Sequence, residues 1–137
     1  MHLWLCATPR FHGSVAPAAW TNDPIAVLIT LTTTGRRTGQ PRKVPLFAFD
    51  DRDRLVIVGS RGGSAKDPAW AGNLRADPRA IVSRGAEAWS VRAYEVRGGE
   101  RDRLWLLVSA AFPLYESYRR STTRTIPLFV LEPASSD

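Results

Sequence analysis

Apolar residues fall along this chain in two rhythms, and the rhythms predict its elements. Residues 25–32 (Ile-Ala-Val-Leu-Ile-Thr-Leu-Thr) form a β-branched, apolar run, which predicts a strand buried on both faces. Residues 44–49 and 55–58 predict two further strands around the polar turn Asp50-Asp51-Arg52-Asp53, making an antiparallel meander. Asp67 suits a helix N-cap and Pro68 the first helical position. The predicted helix runs through Trp70, Asn73 and Leu74 and stops before Asp77-Pro78. A short strand over 80–83, a turn at Gly85 and a longer strand over 88–96 follow, ending at Gly98-Gly99. The period then changes. Leu104, Leu107, Val108 and Ala111 recur at i, i+3, i+4 and i+7, which predicts a helix over 100–111. Pro113 interrupts it. A third helix over 114–120 sets Tyr115 and Tyr118 on one side, and residues 126–131 are the last strand.

The order βββ-α-ββ-αα-β predicts an α+β, mainly β fold: a small antiparallel barrel with about three helices packed alongside. Residues 25–133 are expected to form one domain. Residues 1–24, with Pro9, Gly13, Pro17 and Pro24, read as an irregular lead-in, and 134–137 as a loose tail.

Composition narrows the chemistry. A hydrophobic fraction of 44% in 137 residues is enough for one core. No apolar run approaches the roughly 20 residues of a membrane helix, and the N-terminus lacks a basic start, so a soluble cytoplasmic protein is expected. Cys6 is the only cysteine, which excludes an internal disulfide or a thiolate cluster. His2 and His12 have no partner at a metal-ligand spacing, so no metal site is expected. The net charge of +6 points to an anionic partner: nucleic acid, an acidic membrane surface or a polyanionic small molecule.

Two loops carry the candidate chemistry. The first is Gly35-Arg36-Arg37-Thr38-Gly39-Gln40-Pro41-Arg42-Lys43, and the second is Gly59-Ser60-Arg61-Gly62-Gly63-Ser64-Ala65-Lys66-Asp67. Each follows a predicted strand and joins glycines to cations. Glycine allows close backbone approach, and arginine's planar fork suits phosphate and carboxylate. The loops therefore read as one anion-binding wall, though the first alone resembles a nucleic-acid patch equally well. The second is not a Walker A loop, because Lys66 is followed by Asp67 and the glycine spacing is wrong. Its backbone N–H groups can still cradle phosphate. Asp67 opposes an anion at the helix start, so the ligand is expected nearer Ser60, Arg61 and Gly62. Tyr115 and Tyr118 are either packing residues or proton donors. The sequence has no Ser-His-Asp arrangement and no obvious pair of carboxylates, so an enzymatic role would rest on a bound cofactor.

Five blocks in register resemble the deazaflavin-dependent nitroreductase family. They are Leu31 to Arg42, Ser60-Arg61-Gly62-Gly63, Pro68-Ala69-Trp70 with Asn73-Leu74, Phe112-Pro113 with Tyr115 and Tyr118, and Arg124-Thr125-Ile126-Pro127. The resemblance implies a split β-barrel of the FMN-binding type and an oxidoreductase that uses coenzyme F-420. That cofactor is a deazaflavin with a phosphate and a tail of γ-linked glutamates, hence a polyanion. It further implies that Arg36, Arg37, Thr38 and Arg42 meet the phosphate and tail. Ser60, Arg61 and Gly62 would lie near the phosphate linker and ring, and Trp70, Asn73 and Leu74 would hold the cofactor from the first helix. Tyr115, Tyr118 and Ser60 are the implied catalytic residues, with the tyrosines facing the acceptor. A hydride would pass to a small electron-poor acceptor: a quinone, an activated enone or lactone, or a nitroaromatic. Nitro-reducing members carry tyrosine where this chain has Phe112, which favours the first two. No nucleic-acid partner is implied. The resemblance is compatible with weak membrane-surface association at the inner face of the membrane, and with a monomer or homodimer. The rival readings are a non-catalytic basic binding module on the same barrel, or a carrier of F-420.

Overall fold

A computed structural model describes residues 26–134. Six strands, β1 (Ala26–Thr34), β2 (Pro41–Asp51), β3 (Arg54–Val58), β4 (Arg79–Arg84), β5 (Glu87–Glu95) and β6 (Leu128–Pro133), close into a barrel in the order β1-β2-β3-β6-β5-β4. All pairings are antiparallel. Three helices accompany them: α1 (Ala69–Ala76), α2 (Gly98–Ala111) and α3 (Leu114–Arg120). The predicted split-barrel architecture and element order are thus the observed ones. The irregular lead-in, Cys6, His2 and His12 lie outside the described residues. Among those described, no helix is long and apolar enough to cross a membrane.

Two apolar clusters hold the fold. Inward residues of every strand, including Ile29, Leu55, Val82 and Phe129, fill the barrel with Trp70, Ala71 and Leu74 of α1. On the outside, Val56, Leu128 and Val130 pack under Leu104, Trp105 and Val108 of α2 and Tyr115 of α3. β3 and β6 are therefore buried on both faces. β1, predicted to be so, is not: its residues alternate, and Leu28 is 59% exposed. The reason is that α2 and α3 lie over the outer faces of β3 and β6, and no described helix covers the outer face of β1.

The register creates an opening. β2 pairs with β1 along its whole length, from Ala26↔Phe49 to Thr34↔Pro41. This extends the strand beyond the predicted 44–49 and puts Arg42 and Lys43 on the strand instead of in the turn. β3 pairs with β2 only over Ala48–Asp51. Beyond Val58 the chain leaves β2, and the Gly59 N–H donates to the Pro127 carbonyl at 2.8 Å. Residues 41–47 are left with a strand on one side only, and the barrel is split there.

A buried carboxylate locks the far end of the meander. Asp51, 4% exposed, accepts from Arg54 at 2.6 Å and from Arg103 of α2 at 3.0 Å. Burial opposes its ionisation, but the hydrogen bonds and charges of both arginines prevail and hold its pKa below the ordinary 3.8. Asp51→Ala takes the carboxylate from the half-exposed Arg103 and one of two close carboxylates from Arg54, which keeps Glu100 at 3.0 Å, and should cost about 1–2 kcal/mol in urea unfolding. Because the native carboxyl titrates lower than the unfolded one, this contribution is present above about pH 4 and is lost as pH falls through the native value. The variant should therefore lose less stability than the wild type on acidification.

Candidate active site

The split is a cleft of about 980 Å³, walled by the first loop and β2 on one side and by the second loop, α1 and α3 on the other. Its shape begins with α1. Asn73, buried on this helix, accepts the Arg36 backbone N–H at 3.0 Å and donates to the Thr33 hydroxyl at 3.0 Å. The first loop is thereby tied to the helix. The Arg36 guanidinium lies against Gly72, where a methyl group would overlap it. Thr38 accepts from the Gln40 N–H at 3.1 Å and from Arg42 at 3.3 Å, which orders the loop's tip.

The second loop has an unusual backbone. Ser60 is in the right-handed helical region, and Arg61, Gly62 and Gly63 follow with φ of 46°, 62° and 83°. A right-handed residue followed by left-handed ones turns successive N–H groups to one side and makes an anion-binding concavity. The Gly63 N–H donates to the Ser60 carbonyl, while the N–H groups of Arg61 and Gly62 find no acceptor among the described residues. Positive φ costs a non-glycine residue such as Arg61 free energy, and strain of this kind collects at binding sites.

Asp67, predicted as a helix cap, is not one. α1 begins at Ala69, preceded by Pro68, with no side-chain cap. The Asp67 carboxylate instead accepts from Arg75 at 2.9 Å and Arg124 at 2.6 Å. Its charge is thus matched within the protein and opposes an anion in the cleft far less than the sequence suggested. Arg36, Arg37, Arg42, Lys43 and Arg61 all line the cleft, and none forms an ion pair among the described residues. The cleft is therefore a strongly positive concavity.

The remaining wall is aromatic. Phe112, Tyr115 and Tyr118 meet edge to face, with ring centroids 4.8 Å apart for the first pair and 6.3 Å for the second. Tyr115 is 6% exposed, and burial first, then the neighbouring Tyr118, pushes its phenol up to about 12. It stays protonated at neutral pH and can donate a hydrogen bond, but is a weak acid. Trp70 lines the cleft while its ring packs edge-on against Phe129 in the core.

Arg36, Arg37, Thr38, Arg42, Ser60, Arg61, Gly62, Trp70, Asn73, Tyr115 and Tyr118 all converge on the one cleft. Leu74 does not: it is buried in the barrel and backs the floor from behind. Sequence reasoning missed Phe47, which lines the cleft, and Gly72, whose lack of a side chain makes room for Arg36. Helical spacing gives the one hint of the latter, since Gly72 sits between Trp70 and Asn73.

A family model described as F420H(2)-dependent quinone reductase matches residues 9–133. An F420H(2)-dependent quinone reductase of Mycobacterium tuberculosis is 37% identical over 106 residues, covering 75% of this chain and 71% of that protein. A solved structure described as an F420-H2 dependent reductase superposes with a TM-score of 0.70 at 36% identity, covering 77% of this chain and 93% of the other. A second, described as a domain-swapped dimer, has the same TM-score and identity and covers 77% and 79%. The heme storage protein HutZ of Vibrio cholerae shares the fold alone, with a TM-score of 0.58 at 13% identity over 80% and 82% of the two chains.

Burial of the Tyr115 phenol has a measurable signature. The unfolded phenol ionises near its ordinary 10.0 and the native one near about 12. Stability should therefore fall as pH rises between these values, by on the order of 2–3 kcal/mol in full. Tyr115→Phe removes this loss. Urea unfolding at about pH 9 and pH 11 should show the variant gaining on the wild type by about 1 kcal/mol; an unchanged difference would mean that the phenol is solvated.

Proposed function

The chain belongs to the F420H(2)-dependent quinone reductase family, and we propose that it reduces a quinone in the cleft between the two glycine loops. The observation that carries this reading is the union in one cleft of cations without carboxylate partners, backbone N–H groups without acceptors, both among the described residues, and a wall of aromatic rings. Coenzyme F-420 offers a matching anionic tail, a phosphate and a planar ring, so the residues present fit it.

In this assignment Arg36, Arg37, Thr38 and Arg42 meet the tail and phosphate, with Lys43 beside them. The N–H groups of Arg61 and Gly62 and the Ser60 hydroxyl face the phosphate linker and ring. Trp70 and Asn73 form the floor, with Leu74 supporting it from the core. The bound reduced deazaflavin supplies the hydride. The protein's own part is to orient, exclude water and manage charge. Phe112, Tyr115 and Tyr118 hold the flat acceptor, and Tyr115 donates a hydrogen bond to its oxygen. With a phenol this weakly acidic, the net proton comes from solvent. Phe112 offers no hydroxyl, so nitro compounds are expected to be poorer acceptors than quinones.

Titration with F-420, followed by the fluorescence of the five tryptophans, tests the site. Micromolar or tighter, salt-sensitive binding is expected, with FMN much weaker because it lacks the glutamate tail. Arg37→Ala and Arg42→Ala should each weaken binding roughly ten-fold. Unchanged affinity in both would remove the assigned wall. Turnover with a naphthoquinone and none with F-420 alone separates an enzyme from a carrier.

Gly72→Ala provides an independent check. Alanine favours a helix, so stability should hold or rise by up to about 1 kcal/mol. The displaced Arg36 should nonetheless weaken F-420 binding several-fold. Wild-type affinity in this variant would show that Arg36 makes no contact with the ligand.

A further inference from the structure

Arg124 lies just before β6, outside the cleft, with its side chain only 13% exposed. All three guanidinium nitrogens are engaged, and all on the second loop. Nε donates to the Ser64 carbonyl at 2.7 Å, Nη2 to the Ser60 carbonyl at 2.7 Å and Nη1 to the Asp67 carboxylate at 2.6 Å. These acceptors bracket the left-handed run Arg61-Gly62-Gly63 on both sides. Asp67 is held in turn by Arg75, which makes a two-pronged contact with Glu95 of β5 at 2.9 and 3.1 Å. The loop is thereby fastened to the barrel wall.

We propose that Arg124 is a positioning residue that builds the anion-facing turn of the second loop by capturing its two flanking carbonyls and Asp67. The physical reason is polarity. A carbonyl free to turn toward the cleft would place negative charge where an anion binds. Arg124 draws the Ser60 and Ser64 carbonyls to the opposite side and leaves the Arg61 and Gly62 N–H groups facing the cleft. It also offsets part of the cost of positive φ at Arg61, because charge-assisted hydrogen bonds of this kind are among the stronger ones. Lysine carries the same charge but has no rigid fork and cannot span three diverging acceptors. The proposal rests on the reading that this turn faces the cofactor's phosphate.

The test compares Arg124→Lys, Arg124→Gln and Arg61→Ala. Both Arg124 variants should speed amide exchange at Gly63 and Ser64 in the free protein. Both should weaken F-420 binding about ten-fold or more. KM for F-420 should rise while kcat at saturation holds within about two-fold. The slope of log Kd against log salt should match the wild type, because no phosphate contact is lost. Arg61→Ala should flatten that slope.

Three results would overturn the proposal. Arg124→Lys with wild-type affinity and exchange would reduce Arg124 to a charge. A flattened salt slope in Arg124→Gln would make it a direct anion contact. Unchanged exchange in both variants would mean that it does not hold the turn. Should either variant fail to fold by circular dichroism, Asp67→Asn loosens the same staple without opening a cavity. It should speed exchange at Gly63 and Ser64, and wild-type exchange would refute the staple. If the wild type itself fails to bind F-420, the cofactor reading falls, while the exchange comparison still decides whether Arg124 shapes the turn.

Discussion

A strand of eleven residues beside a strand of five leaves much of the longer one's edge without a strand neighbour. Backbone polar groups on such an edge need water, side chains or a ligand, and a barrel normally removes the problem by closing. Here β2 and β3 part after four residue pairs, and the second loop swings away toward β6, held by the Gly59–Pro127 hydrogen bond. The cleft is the direct result. α1 enters one side of it as the plug of the barrel and α3 lies along another, so its walls are anchored in the two apolar cores and do not depend on loops alone.

The distribution of charge follows the same division. Where arginines serve the fold they are paired: Arg54 and Arg103 on Asp51, Arg75 on Glu95, Arg119 on Glu116. Around the cleft they have no acidic neighbours among the described residues except Asp67, which two other arginines already occupy. A concavity of this kind attracts an anion before contact and binds it without first breaking internal ion pairs. The aromatic wall opposite lacks charge, which suits a flat, neutral acceptor beside a polyanionic donor.

Much of this was legible in the chain. The period change near residue 100, Pro113 and the Tyr115–Tyr118 spacing located α2 and α3, and the two Gly-Arg loops located the cleft. What failed did so because local pattern says nothing about which face a distant element covers. The apolar run at 25–32 looks doubly buried, yet α2 and α3 cover β3 and β6 instead. Asp67 has the chemistry of a cap, but Arg75 from the same helix and Arg124, 57 residues away, hold its carboxylate. Leu74 shares a helix with Trp70 and Asn73 but points into the barrel, where its side chain is worth more buried than at a polar site. Arg124 could be seen only as part of a resemblance, since its partners lie 57 to 64 residues away.

The double burial of β6 has a consequence for how the molecule is made. β6 joins β3 to β5, and its partners on β3 precede it by about seventy residues, as in Val56↔Val130. Until residues 128–133 are available, β3 has an open edge and two apolar faces, and neither core is complete. A chain emerging from the ribosome therefore carries β3 paired on one edge only, against β2, until nearly all of the described residues have been synthesised. The hairpin of β1 and β2, with its cationic tip, can form from local contacts before that, but its inner face of Val27, Ile29 and Leu31 also waits for the core. Closure of the barrel by β6 is thus the step that completes both cores at once.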